Sequence, residues 1–318
     1  MERKVNNNYY DFILDDEIKS FISKVQKHST DGSSTDVARL RAEYNAVCLA
    51  FLTKNSSNVK SETKIITLAD RGIPLRQYRK NSTSQVQIMY IHGGGFIMGG
   101  LDSHDSICAD LCDHTGLMVT AVDYRLSPEY AHPAAFEDVV TAYNSLDKKT
   151  PTIVVGDSAG ATLTAMLVNS LKGTASKALG QVLIYPYLGG DMRSGSYITH
   201  QNAPLLTTKD MQFYLKCWMQ NKINSIKLPL HEESFLNLPS TIIATSSEDP
   251  LKTDGLLYKD KLLKAAVQVH HINGEGLIHG FLRARHSSKR AKRTFLKITQ
   301  AIFMLSKKKI IVENKISI

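Results

Sequence analysis

The chain has 318 residues, 42% apolar and 22% charged, a composition that suits a folded globular protein and excludes a disordered one. Its formal charge of +9 is unevenly placed. From Arg283 onward eleven Lys and Arg stand against one acid, Glu313, so that segment carries +10, while the other 282 residues carry 28 bases and 29 acids.

Met1 to Asn6 runs into polar residues rather than the apolar core of a secretory signal. No apolar run approaches the ~20 residues of a membrane helix. The expectation is a soluble, cytoplasmic protein. Four cysteines (Cys48, Cys108, Cys112 and Cys217) do not make a disulfide framework in a chain this long. Cys108 and Cys112 are four apart on an expected helix, but no second Cys or His pair stands at zinc spacing. Both read as buried, reduced thiols rather than half a metal site.

Two amphipathic helices open the chain. Leu14, Ile18, Phe21, Ile22 and Val25 share one face, and Val37, Leu40, Tyr44, Val47, Cys48 and Phe51 share another. Ser34, Thr35 and Asp36 offer capping oxygens for the second. Lys64–Leu68 and Ile73–Arg79 flank the turn-forming Ala69-Asp70-Arg71-Gly72 as a hairpin. Strands and helices then alternate: strands at 86–91, 117–122, 152–155, 182–185, 241–244 and 267–272, helices at 133–146, 159–171 and 256–265. A last helix carries Ala291, Phe295, Ile298, Ile302 and Leu305. Strands apolar throughout, with helices between them, predict a mostly parallel central sheet with helices on both faces. The stretch from about Gly189 to Leu238 breaks the alternation.

Gly156-Asp157-Ser158-Ala159-Gly160 joins the apolar run Thr152–Val155 to a helix. A serine on so tight a strand-to-helix turn needs small flanking residues, and glycine at 156 and 160 supplies them. The turn presents the hydroxyl at a helix N-terminus, whose dipole favours negative charge. A second strand ends in His92-Gly93-Gly94-Gly95-Phe96. Acyl transfer builds charge on a carbonyl oxygen, and glycine lets backbone N–H groups approach it closely. Losing one such donor costs roughly 3–4 kcal/mol of barrier. Gly94, Gly95 and Ala159 are the expected donors, with His92 supporting and Gly93 within the motif. A phosphate loop fails on spacing, since Met98 stands where a glycine is required and no Gly-Lys-Ser/Thr follows.

In this arrangement the acid and then the histidine follow the serine. Asp249 lies just past the strand 241–244, where sites of open α/β sheets form. Glu248 and Asp254 are its competitors. His279 lies in the run Gly274–Phe281, read as a glycine-rich loop. Of eleven histidines it alone combines the chain order with a loop position; His270 and His271 fall in a strand, and His28, His200 and His231 have no partner signal.

These motifs, with Val122-Asp123-Tyr124-Arg125-Leu126-Ser127-Pro128-Glu129, Asp249-Pro250-Leu251 and His279-Gly280-Phe281, resemble the hormone-sensitive-lipase-like family of α/β-hydrolases, and among its members the acetyl esterases. The likeness runs from about residue 35 to 305. It implies an α/β-hydrolase fold and a serine carboxylesterase for short, acetyl-type acyl esters. It also implies a triad of Ser158, Asp249 and His279, an oxyanion motif at His92, Gly93, Gly94 and Gly95, and no metal or organic cofactor. A lid would be built partly from the N-terminal helices. The expected division is an N-terminal lid segment at 1–60, the hydrolase core at 61–188 and 239–306, a second lid insertion at 189–238 and a basic tail at 307–318. Ala161 and Thr253 depart from the family pattern, which has glycine and often aspartate there; Thr253 is expected to weaken a contact behind the triad. Two other readings are weighed. One is a binding protein on a hydrolase scaffold, which the three intact triad residues disfavour. The other is an added anionic partner, nucleic acid or lipid headgroups, for the basic C-terminal segment, whose usual meaning is a solvated face. The expected substrate is a small-molecule ester.

Overall fold

The computed structural model describes residues 7–28, 35–53, 56, 58–80, 84–220 and 226–308. Its strands are β1 Lys60–Thr67, β2 Gly72–Arg79, β3 Gln87–Ile91, β4 Met118–Val122, β5 Thr152–Asp157, β6 Gly180–Ile184, β7 Ser240–Glu248 and β8 Val269–Ile278. Its helices are α1 Asn7–Ile13, α2 Asp16–Gln26, α3 Val37–Ala50, α4 Asp105–Thr115, α5 Ala134–Ser145, α6 Ala159–Ser170, α7 Ser196–Thr199, α8 Thr208–Met219, α9 Lys252–Lys264 and α10 Lys289–Ser306.

One eight-stranded sheet runs in the order β1-β2-β4-β3-β5-β6-β7-β8. The β1–β2 hairpin and the β2–β4 pair are antiparallel; every later pair is parallel. This is the mostly parallel sheet expected from the alternating apolar strands. Side-chain alternation splits the interior in two. Met89, Ile91, Val154 and Leu183 point into one core, with Leu163 and Leu167 of α6, Val139 of α5 and Tyr258 of α9. Ile88, Tyr90, Ile153, Val155 and Val182 point into the other, with Ile107 and Leu111 of α4, Phe295 and Ile302 of α10, and Ile18, Phe21 and Val25 of α2. Each such aliphatic side chain stabilises the fold by roughly 1.5–3 kcal/mol when fully buried. The outermost strand, β1, is exposed and charged at Lys60, Glu62 and Lys64, which discourages edge pairing.

The topology places the site. From β3 the chain crosses to β4 on one side, then returns past β3 to β5 on the other. Beyond the C-terminal ends of β3 and β5 the connections diverge and leave a crevice. Ile91 pairs with Gly156 in register, so the loop after β3 lies beside the turn after β5.

Several boundaries differ from the sequence expectation. Helix α1 has no full apolar stripe and was not expected. The glycine-containing run 274–278 is strand, not loop: β8 continues beside β7 through a register shift at Ser246/Glu248. Helix α9 starts at 252, four residues earlier than its apolar pattern indicated, directly after Asp249-Pro250-Leu251. Of the caps offered for α3, Asp36 accepts the N–H groups of Ala38 and Arg39. From residue 309 the expected basic tail lies outside the described residues.

Candidate active site

Ser158 joins β5 to α6 with φ 53° and ψ −122°, a left-handed conformation that costs a non-glycine residue about 1–3 kcal/mol. The surroundings hold it there. Its N–H donates to the Ile184 carbonyl oxygen at 2.9 Å. A Cβ on Gly160 would overlap the carbonyl oxygens of Ile91 and His92, and one on Gly156 would overlap the backbone of Gly160. Both glycines are therefore required by close approach.

Asp249 and His279 meet because their strands are neighbours. Glu248 of β7 pairs with Ile278 of β8, so the residues that follow leave the sheet side by side. The Asp249 Oδ2 lies 2.8 Å from His279 Nδ1, and His279 Nε2 lies 2.9 Å from Ser158 Oγ. With the carboxylate as acceptor, Nδ1–H donates to Asp249, leaving Nε2 to accept from the serine hydroxyl. Asp249 is 1% exposed and its other oxygen accepts the Leu251 N–H at 2.8 Å, whereas the imidazole is 12% exposed and opens on a cavity. The competing acids are engaged elsewhere. Glu248 accepts the Ser247 hydroxyl, and Asp254 accepts the N–H groups of Leu188, Gly189 and Gly190.

The His92–Gly95 loop lies against this serine. Gly94 and Gly95 have φ of 122° and 61°, which only glycine adopts without strain. Among the described residues neither their N–H groups nor that of Ala159 donates to a protein acceptor. The Gly93 N–H donates to Asp157 Oδ1 at 2.9 Å, so this residue of the motif anchors the loop while the expected donors lie at Gly94, Gly95 and Ala159. His92 is buried and stacked on Tyr124 at 4.1 Å, with Nδ1 2.8 Å from the Gly93 carbonyl oxygen. Burial, then the neighbouring His104, lowers its pKa to about 3, so it stays neutral and buttresses the loop.

Sequence reasoning passed over the residue that ties these parts together. Asp157, the variable position before the serine, also accepts the hydroxyls of Tyr90 at 2.8 Å and Tyr185 at 3.2 Å, and lies 3.4 Å from His104 Nε2. Burial alone would raise its pKa; His104, the Tyr90 hydroxyl and Arg283 outweigh that and hold it below the usual carboxylate range. Tyr185 in turn packs 4.6 Å from the His279 ring. The sequence signal was an acid in a run otherwise buried and apolar. Thr253 exchanges two 2.9 Å hydrogen bonds with Ser196, whose hydroxyl donates to the Pro250 carbonyl oxygen, so it ties down the segment after Asp249.

Ser158 and His279 open on a cavity of about 580 Å³. Phe21, Val25, Leu40, Tyr44 and Val47 from α2 and α3 form one wall; Leu206, Met211 and Tyr214, from α8 and the turn before it, form another. Segments on both sides of the expected lid thus border the serine. Cys108 and Cys112 sit buried on α4, and burial pushes both thiols up, Cys112 to about 11. No cluster of His, Cys, Asp and Glu among the described residues has metal-ligand geometry. Among them, too, no helix is long and apolar enough to cross a membrane. His200, expected to lack a partner, meets the Tyr10 hydroxyl at 3.1 Å.

The chain is similar to known proteins in sequence and in fold. A family model described as the alpha/beta hydrolase fold matches residues 88–283. Esterase LipI of Mycobacterium tuberculosis is 32% identical over 61% of this chain and 65% of its own length. Ethyl acetate hydrolase of Pseudomonas putida is 26% identical over 84% of this chain and 89% of its own. The solved structure of a hyperthermophilic esterase from the archaeon Pyrobaculum calidifontis superposes with a TM-score of 0.81 at 26% identity, covering 93% of this chain and 99% of that one. The motif order along the chain, the switch-point crevice and the matched span lead to one assignment: the chain belongs to the hormone-sensitive-lipase-like family of α/β-hydrolases.

Proposed function

We propose that the protein is a carboxylic ester hydrolase working through an acyl-enzyme on Ser158. His279 Nε2 takes the hydroxyl proton as Oγ attacks the ester carbonyl, then returns it to the departing alkoxide. Asp249 fixes the tautomer and steadies the imidazolium. The N–H groups of Gly94, Gly95 and Ala159 stabilise the oxyanion, at a helix N-terminus that favours negative charge. Water, activated by the same imidazole, attacks the acyl group and frees the serine. The observation that carries this reading is the 2.9 Å contact of Ser158 Oγ with an imidazole that Asp249 holds from behind at 2.8 Å.

Within that activity we place the preference at short, acetyl-type acyl groups. A bounded cavity and the likeness to a protein named for ethyl acetate support it. The N-terminal helices and the 189–238 segment act as the lid, and the four free thiols suit a cytoplasmic enzyme. Rates on p-nitrophenyl esters from acetate to laurate test this. The expected kcat/KM is highest at acetate to butyrate and falls at least about tenfold by laurate. An optimum at decanoate or beyond contradicts the acetyl-type assignment, and no hydrolysis of any ester contradicts the whole reading.

A further inference from the structure

Arg283 stands one turn beyond His279, in the 3-10 segment Phe281–His286, and lines the same cavity. Its Nη1 donates to the Ser103 carbonyl oxygen at 2.9 Å and its Nη2 to the Tyr44 hydroxyl at 2.7 Å. The guanidinium also lies 5.0 Å from the Tyr44 ring centroid. Neither partner is a carboxylate. The other buried or half-buried arginines among the described residues behave differently: Arg41, Arg71, Arg76, Arg125 and Arg285 each have a carboxylate oxygen within 3.0 Å. Arg283 makes no ion pair among the described residues. Three of its five N–H groups donate to no protein oxygen there.

A guanidinium withdrawn from water without an adjacent counter-charge is costly, and a ligand carboxylate is the group its planar fork fits. The acids that share the cavity wall are already engaged. Glu43 pairs with Arg39 at 3.0 Å, Asp210 closes the capping box of α8 with Thr207, and Asp157 holds Gly93, Tyr90 and Tyr185. The remaining wall near Tyr44 is apolar, with Val47 and Ile107. The cavity therefore offers, in the same space as the serine, a positive charge that feels the Asp157 carboxylate at a distance but has no carboxylate in contact with it among the described residues.

We propose that Arg283 is a specificity residue that makes the site favour esters carrying a free carboxylate, the half-ester of a dicarboxylic acid being the simplest. The fork grips the carboxylate on the Tyr44 side while the ester carbonyl lies at Ser158. This rests on the hydrolase reading of that serine.

Two substrate pairs test it: monoethyl adipate against ethyl hexanoate, and 6-acetoxyhexanoate against hexyl acetate, with the charge on the acyl and on the alcohol side. The readout is the ratio of kcat/KM, charged over neutral, in wild type, Arg283→Gln and Arg283→Lys. Wild type is expected to favour the charged member of at least one pair about tenfold or more. Arg283→Gln should lower that ratio at least about tenfold, and Arg283→Lys should keep part of it. A wild type that cleaves the neutral esters and prefers them in both pairs overturns the proposal while leaving the esterase reading intact. So does a ratio that Gln leaves unchanged. Cleavage of none of the four overturns the hydrolase reading and this proposal with it. Should Arg283→Gln fail to fold, the wild-type ratio decides.

Discussion

Asp254 shows what one buried carboxylate does to this fold. It takes three backbone N–H groups on Oδ2, at 2.7, 3.1 and 3.1 Å, and the nearby Tyr197 hydroxyl also favours its ionised form. Burial outweighs those donors and pushes the carboxyl up to about 6. The folded state thus binds this proton more tightly than the unfolded chain, whose aspartates titrate near ~3.9. The contribution is complete below about pH 4 and is lost as the pH rises through 6, a change of about 3 kcal/mol. Urea unfolding of wild type and Asp254→Asn from pH 4 to 7 measures it. The difference in stability between the two should shift by about that amount, to the disadvantage of wild type at higher pH; parallel profiles would contradict the assignment. At this scale the sequence was uneven. Ser158, Asp249 and His279 were legible because each sits in a motif with a fixed chain order. Asp157 and Arg283 were not, because their roles come from neighbours far along the chain, Tyr90 at 67 residues from Asp157 and Tyr44 at 239 from Arg283.

At the scale of elements, α3 is fastened to the core by few contacts. Arg41 donates from Nε to the Ile97 carbonyl oxygen at 2.7 Å and from Nη2 to that of Ser127 at 2.9 Å, and it grips Glu129 at 2.7 and 2.8 Å. The ion pair is partly exposed and adds little by itself; the two bonds to buried-loop carbonyls fix the helix. Arg41→Ala should speed amide exchange of residues 41–50 about tenfold and raise KM, with little change at α6. Unchanged exchange in α3 would contradict this fastening role. The basic C-terminal helix has a similar element-level use: Arg290 pairs with Asp15 at 2.7 Å and Lys289 Nζ lies 3.9 Å from Glu17, so part of that charge holds the start of α2 down. The apolar strands and most helices were readable from periodicity. The β8 extension through Gly274 and Gly276 was not, because glycine reads as a loop while ladder bonds to β7 override it. Helix α1 escaped notice for want of a complete apolar stripe.

At the scale of the molecule, sheet order does what no motif does alone. Divergence of the chain at β3 sets the glycine loop beside the elbow, and the β7–β8 pairing delivers an acid and an imidazole to the same place. The central claim is that this convergence makes one hydroxyl nucleophilic. Labelling of the intact protein with a fluorophosphonate, followed by peptide mapping, tests it most directly. The account predicts one adduct per chain on the peptide holding Ser158, none in Ser158→Ala, and labelling slowed by about 10³-fold or more in His279→Ala. An adduct on another residue, or a Ser158 that stays unlabelled in the folded wild type, would contradict it.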